Sequence, residues 1–405
     1  MLETFLVYTT LMIFMIYFTR RSALTTGRRA RFYYCIPVVL YTLVFGLRYC
    51  VGMDYMAYLE IYKLWDTSLS INDNIAQHPG IFEHLERSFM WLIIFLKKIL
   101  NAHYSVFFIL FAFLEISLIY RAFRERKEVL ASSIFAFFAL GIATNLFQNT
   151  LRQDVAICIF LASIPCIIKR DWVNYFIGIA LACFFHKSAL ILLPIYFFYT
   201  KDRQIFKSDI TRILTLTAFV IIAYFDLTNK IILQFYHLAE VSGYGVYVNS
   251  QHMVSNGASV GIGMLIKYAA YCIMIMLYKP VKEFHQDRFF EILFDLVLIG
   301  LCGHLLCYRS LVLDRIFRYF TTFEFLIFGY YLVYFRHAPK TISAWLGYLY
   351  IILLICMTYA QTILYSNITI STYSTIYQTE KHAAQEENRT LILKAINENA
   401  QKQMQ

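Results

Sequence analysis

The sequence has too few charged residues for a protein that folds in water. Only 15% of its 405 residues are charged, whereas roughly a quarter of the residues of a soluble domain are. Hydrophobic residues account for 60% of the chain, and the mean hydropathy is +0.57. These proportions exclude a water-soluble globular enzyme and indicate a membrane protein.

The sequence also lacks the short motifs of metal, nucleotide and disulfide chemistry. Its nine cysteines form no C-x-x-C pair and lie mostly inside apolar runs, so we interpret them as small buried hydrophobic residues. It contains no P-loop, H-E-x-x-H, G-x-S-x-G or D-x-D motif. An ATP-driven pump and a nucleotide-sugar enzyme are therefore disfavoured, and we expect neither a metal nor a cofactor.

Apolar runs are instead plentiful, and their number predicts an all-α polytopic membrane protein. At roughly 20 residues per crossing, the hydrophobic content suffices for about twelve transmembrane helices. We predict one bundle over residues 1–364, with long outer loops at about 48–102 and 228–259 and a polar C-terminal tail at 365–405, helical from Glu380 onward. The predicted spans are 2–19, 32–47, 103–120, 129–147, 151–168, 172–186, 187–200, 213–227, 260–278, 289–308, 316–335 and 342–364.

The net charge of +10 is explained mainly by topology. Alternate connections between the spans carry 20 of the 36 basic residues, and the opposite connections carry 11. Because cytoplasmic loops are enriched in Lys and Arg, we place the first group in the cytoplasm and both termini outside. No nucleic-acid partner is then expected. This assignment requires residues 82–100 to form an amphipathic helix at the outer interface, since a true crossing, the competing interpretation, would invert every later segment.

Two polar clusters follow predicted spans at the outer side. Arg48, Asp54 and Tyr55 lie just after the second span, where Arg48 and Asp54 either pair to fix the loop or line an outward cavity as anion ligand and carboxylate. Arg152 and Gln153 begin the fifth span. Arg152 must snorkel outward, pair with Asp154 or hold a ligand, and we favour a ligand because a guanidinium fits phosphate oxygens bidentately.

Two further clusters lie on the same predicted side. His186 stands in a polar notch between short apolar runs, as either a structural residue or a general base. Arg315 and Arg318 share one helical face, and their mutual repulsion favours a polyanionic ligand between them, with Asp314 as the alternative. Glu86 in the outer helix and Tyr319 beside Arg318 complete the candidate substrate contacts.

The predicted loop at 228–259 has a composition suited to sugars. Its aromatic and amide side chains could stack on sugar rings and hydrogen-bond to them, but an interfacial aromatic belt would have the same composition. Both interpretations stay open. The residues concerned are Tyr236, Tyr244, Tyr247, Asn249, Gln251, His252 and Asn256.

At these clusters the chain resembles the EpsG-type branch of Wzy-like oligosaccharide repeat-unit polymerases. The resemblance covers roughly residues 1–375 and rests on the order of R-x-x-V-G-x-D-Y, L-R-Q, F-H-x-S-A-L and R-x-x-R-Y-F. Two departures are Lys187, where related chains usually have an apolar residue, and the polar tail after residue 375. The family-pattern positions are Arg48, Gly52, Asp54, Tyr55, Arg152, Gln153, His186, Ser188 and Arg318.

The resemblance implies a GT-C-like bundle in the bacterial cytoplasmic membrane that acts as a glycosyltransferase. It implies that a glycan moves from undecaprenyl diphosphate to a new lipid-linked repeat unit, with a chain-length regulator as a candidate partner. Arg152, with Arg315 or Arg318, would hold the diphosphate, and His186 or Asp54 would accept the proton of the acceptor hydroxyl.

Two other functions compete with the polymerase. A lipid-linked oligosaccharide flippase also needs an Arg-lined cavity, but it should carry basic groups along its whole path, whereas only Lys267 lies within a predicted span. A membrane acyltransferase needs an intramembrane His, for which His304 is a candidate. The polymerase is the better prediction because the arginines cluster at one side.

Overall fold

The computed structural model describes residues 2–83, 85–199, 205–206, 208–225, 262–307, 311–337, 342–364 and 373–404, most of them helical. The chain forms two compact units. Unit 1 comprises Met1–Tyr196 and Ile355–Ile392, and unit 2 comprises Phe197–Leu354 and Leu393–Gln405. The predicted outer loop at 228–259, for which sugar binding and an interfacial aromatic belt are both left open, lies outside the described residues.

Unit 1 begins with two long helices and continues through a run of short ones before the next long helices. The long and medium helices pack in pairs, some adjacent in sequence (α1 with α2, α9 with α10) and others not (α2 with α7, α7 with α9, α1 with α8). The bounds are α1 Leu2–Ala23, α2 Gly27–Gly46, α3 Tyr55–Leu64, α4 Ile71–Gln77, α5 Pro79–Phe82, α6 Arg87–Ile94, α7 Tyr104–Ala122, α8 Lys127–Ala139, α9 Leu151–Ile168, α10 Trp172–Phe185 and α11 Ile195–Phe198.

The core of unit 1 is aromatic and closely packed. Tyr41 stacks on Phe45 with 4.2 Å between ring centroids, and both side chains are buried. Helices α9 and α10 approach so closely at Gly178 that a Cβ there would lie 2.3 Å from Ser163 Oγ. A small residue at the contact brings the backbones together, which is how helices associate where water supplies no driving force.

The segment predicted as an amphipathic outer helix is short. Helix α6 continues as a π-helical turn over Phe95–Ile99, so Arg87 to Ile99 is 13 residues long. At about 1.5 Å per residue this length falls well below the ~30 Å of a bilayer core. One face is buried through Phe89, Met90 and Ile93, while Trp91 is exposed, which is the pattern of a helix lying against the bundle.

Unit 2 is built around one buried helix, α14 (Arg288–Cys307), which packs against α12 (Asp209–Tyr224), α15 (Leu311–Thr321) and α16 (Glu324–His337). The other helices of unit 2 pack less extensively against α14. The division between the units falls within α11, α17 and α18. The bounds after Phe198 are α12 Asp209–Tyr224, α13 Ile262–Met276 and, after a short helix Tyr278–His285, α14 Arg288–Cys307, α15 Leu311–Thr321, α16 Glu324–His337, α17 Ile342–Leu364 and α18 Thr379–Met404.

Among the described residues, four helices are long and apolar enough to cross a membrane, namely α1, α7, α9 and α14. Shorter apolar helices lie at Trp172–Phe185, Lys187–Phe198, Leu265–Met276 and Trp345–Ala360. The all-helical class is thus confirmed over the part of the chain that is described. The count of twelve spans stays a prediction.

Three predicted spans are interrupted. Helix α8 ends before Gly141, whose φ of +71° is left-handed and terminates the helix before a π-helical turn at Ile142–Leu146. The run at 187–200 forms a 3₁₀ helix, Lys187–Leu192, and then the four-residue α11, with Pro194 between them. The run at 316–335 divides between α15 and α16 at Thr322 and Phe323.

Candidate active site

The turn after α2 is held in place by the segment before α9. Gly52 has φ +102°, and a Cβ there would lie 2.9 Å from both Asn149 Oδ1 and Gln148 O. The amide of Met53 donates to Asn149 Oδ1 at 2.6 Å. Only glycine accepts this conformation and this close contact. The contacts with Gln148 and Asn149 therefore hold the turn of residues 48–54 beside the start of α9.

Arg48 is the buried anchor of this turn. Its guanidinium donates to the carbonyl oxygens of Val51 and Gln148, each at 3.2 Å, and to that of Phe45. The residue is only 1% exposed, and its charge also faces the rings of Tyr55 and Phe108. These contacts give Arg48 a structural role, so its predicted role as an anion ligand stays a prediction.

Asp54 and the two tyrosines after it start helix α3. Asp54 is half-buried at the N-cap, and Tyr55 is fully buried with its ring stacked 4.3 Å from that of Phe108. Burial raises the pKa of the Tyr58 hydroxyl, Arg152 lowers it and Asp54 raises it. Asp54, Tyr58 and Arg152 therefore share one electrostatic environment.

Glu86 is the centre of the site. It is 6% exposed and is the N-cap residue of α6. Its Oε2 accepts a hydrogen bond from Arg152 Nη1, and its Oε1 lies 3.2 Å from His186 Nδ1. The amide of Lys187 also donates to Oε1 at 3.5 Å. The Glu86 carboxylate thus contacts two other segments of the chain, 66 residues away at Arg152 and 100 residues away at His186.

The start of α9 supplies the arginine of the cluster. Arg152 pairs with Glu86, and its guanidinium carbon lies 5.1 Å from the centre of the Phe89 ring. Its Nε is buried with no hydrogen-bond acceptor in the described part of the chain. Gln153 and Asp154 are buried on the same turn, and Asp154 accepts from the Thr150 hydroxyl at 3.0 Å. Of the alternatives for Arg152, the structure shows an ion pair, with Glu86 as the partner.

His186 is positioned by the end of α10. It has an extended backbone that ends the helix and starts the 3₁₀ helix, and the hydroxyl of Ser88 ties α6 to the carbonyl of Phe184. A carboxylate only accepts hydrogen bonds, so Nδ1 donates to Glu86. The neutral ring then carries its lone pair on Nε2, which is the nitrogen able to accept a proton.

This Glu86 cluster, comprising Glu86, Arg152 and His186, combines three chemical capacities. Side-chain exposures of 9% for Glu86, 18% for Arg152 and 23% for His186 keep it mostly out of water, where charge–charge interactions are strengthened. Arginine can bind phosphate oxygens, histidine can accept a proton, and the carboxylate orients both. The arrangement suits acid–base chemistry next to an anionic group.

The second predicted arginine cluster lies in unit 2. Asp314 accepts hydrogen bonds from His304 Nδ1 at 2.5 Å and from Arg318 Nε at 3.5 Å. Burial raises the pKa of the Asp314 carboxyl, but His304 and Arg318 together outweigh burial and lower it below its ordinary value. Arg315 is exposed and Tyr319 is buried. Asp314 thus compensates the charge of Arg318, and the polyanion role of Arg315, Arg318 and Tyr319 stays a prediction.

The C-terminal segment, residues 373–392, contributes contacts that the sequence did not indicate. Thr375 forms an antiparallel bridge with Arg48, and the Tyr49 ring stacks 3.6 Å from that of His382. Glu386 accepts from the Tyr49 hydroxyl, and Arg389 donates to the Met53 carbonyl. The part of the tail described here therefore packs on the turn that carries Asp54. No pattern in the sequence pointed to this contact.

Within the described residues, no group of three or more His, Cys, Asp or Glu side chains could hold a metal ion. The Glu86 cluster has two such side chains at one point, Glu86 and His186, and its third member is an arginine. Its chemistry is that of hydrogen bonding and charge.

Comparison with known proteins gives one result. A family model described as the EpsG family matches residues 31–375. This range includes the turn after α2, the Glu86 cluster, and Asp314 with its partners His304 and Arg318. No curated protein and no solved structure matches the chain.

Proposed function

The chain belongs to the EpsG family and is a multi-pass membrane protein with a polysaccharide polymerase-type role, and from this we propose its specific reaction. It joins oligosaccharide repeat units carried on undecaprenyl diphosphate at the outer face of the bacterial cytoplasmic membrane. The observation that carries the proposal is the buried Glu86 carboxylate, which holds an arginine and a histidine at one point.

The reaction is a displacement at the anomeric carbon of the growing glycan. The acceptor hydroxyl oxygen forms the new glycosidic bond, and the bond between the anomeric carbon and the diphosphate oxygen breaks. The electron pair leaves with undecaprenyl diphosphate, and the hydroxyl proton goes to a base. The protein must stabilise the negative charge on the leaving group and take up the proton.

Arg152 is the proposed ligand of the diphosphate. Its contact with Glu86 uses one nitrogen, and a guanidinium has five N–H donors in a fixed plane. Glu86 and the Phe89 ring hold that plane in one orientation, so little side-chain entropy is lost when an anion binds. This is an electrostatic role that the Arg side chain can perform without a metal.

His186 is the proposed base, in preference to Asp54. Nε2 is the accepting nitrogen, and the contact between Nδ1 and Glu86 stabilises the imidazolium that forms when Nε2 takes the proton. Asp54 is instead the N-cap residue of α3, next to a tyrosine-rich helix start. We therefore assign Asp54 to substrate contact at the edge of the site.

Gel analysis of surface glycan tests the proposal in a strain that carries the gene on a plasmid. We expect Arg152→Ala and His186→Ala to abolish long chains while single repeat units still reach the surface. Lys169→Gln is the matched control because it changes a cation at the opposite end of the same helix, where the side chain is exposed. Membrane abundance of each variant is measured by immunoblot.

Two outcomes contradict the proposal. Polymer of normal length from Arg152→Ala shows that the guanidinium does not serve the reaction. Loss of even single repeat units from the surface in both variants points to a flippase. A purified wild-type protein that extends a synthetic undecaprenyl-diphosphate oligosaccharide settles the reaction directly.

A further inference from the structure

A groove separate from the Glu86 cluster lies on the other face of helix α6. Its volume is about 350 Å³, within the ~300–1,000 Å³ range of small-molecule sites. Arg87, Trp91 and Lys98 line one side, at spacings of four and seven residues that place them on one helical face. The opposite wall is formed by residues 65–72, which comprise the segment that joins α3 to α4 and the start of α4.

The opposite wall is rigid. Lys97 donates from its ammonium group to the carbonyl oxygens of Tyr62 at 2.8 Å and Trp65 at 2.6 Å, so the end of α3 is tied to α6. Asn74 is fully buried and bonds to the backbone of Asp66 as both donor and acceptor, each at 2.9 Å. A wall fixed by buried polar contacts keeps the groove open at little entropic cost to a ligand.

The lining of the groove combines an aromatic surface, hydroxyl and amide groups, and positive charge. Trp91 is 59% exposed, so the face of its indole ring is accessible for stacking. Thr67, Ser70 and Asn72 supply the hydrogen-bonding groups. No acidic residue lines the groove, and neither Arg87 nor Lys98 pairs with another side chain among the described residues.

We propose that this groove binds the glycan itself, as a linear oligosaccharide that carries carboxylate groups. A sugar ring stacks on the exposed Trp91 indole, its hydroxyls bond to the polar wall, and its carboxylates face Arg87 and Lys98. The inference rests on the proposed function, which puts this loop outside the membrane and a glycan beside Glu86. Beyond the proposed function, it states that the glycan is acidic and that it has a second binding site outside the Glu86 cluster.

The test is a binding titration on the full-length protein in phosphatidylcholine nanodiscs. The probes are tetragalacturonic acid and the neutral tetramer maltotetraose. We expect the acidic tetramer to bind at least tenfold more tightly, and Trp91→Ala to weaken it about tenfold or more. The double variant Arg87→Gln/Lys98→Gln should remove the preference for the acidic tetramer.

Trp172→Ala is the matched control, since Trp172 is 61% exposed on α10 and should leave binding unchanged. Equal binding of the two tetramers, no binding, or binding that Trp91→Ala does not weaken overturns the inference. Competition by nanodiscs containing phosphatidylglycerol also overturns it, because the occupant is then a lipid headgroup. Arg152→Ala should still bind the acidic tetramer in the groove. Loss of glycan binding in the groove and loss of the proposed reaction are therefore measured separately.

Discussion

Replacing Glu86 by glutamine is the sharpest test of the Glu86 cluster. Gln keeps the size of the side chain and one acceptor oxygen, but it removes the charge that faces Arg152 and His186. Side-chain exposures of only 9% for Glu86 and 18% for Arg152 place the pair mostly out of water. At an effective dielectric constant of about 20 and a separation of about 4 Å, the attraction is about 4 kcal/mol.

Part of that attraction is offset by desolvation of both groups, so we expect a coupling energy of about 2–3 kcal/mol. A double-mutant cycle with Glu86→Gln, Arg152→Gln and the double variant measures it, from the free energy of unfolding in mixed micelles. The stability losses of the two single variants should add up to more than the loss in the double variant, and the difference is the coupling energy. A coupling energy below about 0.5 kcal/mol means that the two side chains do not interact in the folded protein.

The same substitution should slow the reaction through His186. Without the carboxylate, Nδ1 loses the partner that orients the ring and stabilises the imidazolium, so we expect a rate about 100-fold lower. The assay is extension of a synthetic undecaprenyl-diphosphate oligosaccharide by the purified protein. Glu83→Gln, an exposed carboxylate three residues earlier, is the control. A Glu86→Gln enzyme at the wild-type rate refutes the assignment.

Three further predictions concern the frame around the site. Gly52→Ala should destabilise the protein by about 1–3 kcal/mol in a thermal melt, because φ is +102° and the added Cβ meets two oxygens at 2.9 Å, whereas Gly80→Ala, with open space around it, should be neutral. Tyr49→Ala should make the segment 373–392 more sensitive to limited proteolysis, because it removes the contacts with His382 and Glu386; unchanged cleavage contradicts this packing. The pKa of the Asp314 carboxyl is lowered below its ordinary value of 3.8, so its contribution to stability is present above that pH and is lost as the pH falls below it. Asp314→Asn should lower the melting temperature at pH 6 and flatten its decline between pH 5 and pH 3, and an unchanged profile contradicts the pairing.

The helical class was predictable because long apolar runs leave few alternatives in a bilayer. The interruptions were not predictable from hydropathy alone. Gly141 carries a left-handed φ of +71° that ends α8, but a glycine in an apolar run is equally compatible with a continuous helix. The break at Thr322 has no Pro or Gly to mark it. Such boundaries depend on tertiary packing, which a one-dimensional pattern does not contain.

The residue types of the candidate site were predictable, and their pairing was not. Arg152 and His186 stood out because polar groups beside apolar runs are costly. Glu86 was predicted only as a substrate contact, and nothing in its local sequence indicated that it pairs with Arg152 and His186. Its position between Arg152 and His186 comes from contacts across 66 and 100 residues, and a single sequence carries no record of such contacts.

Arg48 and Arg152 have similar sequence surroundings but different contacts in the structure. Both are arginines at the outer end of a predicted span, next to an aspartate. Arg48 is 1% exposed and gives its donors to backbone carbonyls, so binding an anion there would leave those carbonyls buried and unsatisfied, at a cost of about 1–3 kcal/mol each. Arg152 is paired with a side chain, Glu86, and not with the backbone carbonyls of a turn, and its Nε is buried with no acceptor among the described residues. An incoming diphosphate therefore gains hydrogen bonds at Arg152 without breaking the fold, whereas at Arg48 it must displace the turn that Gly52 fixes.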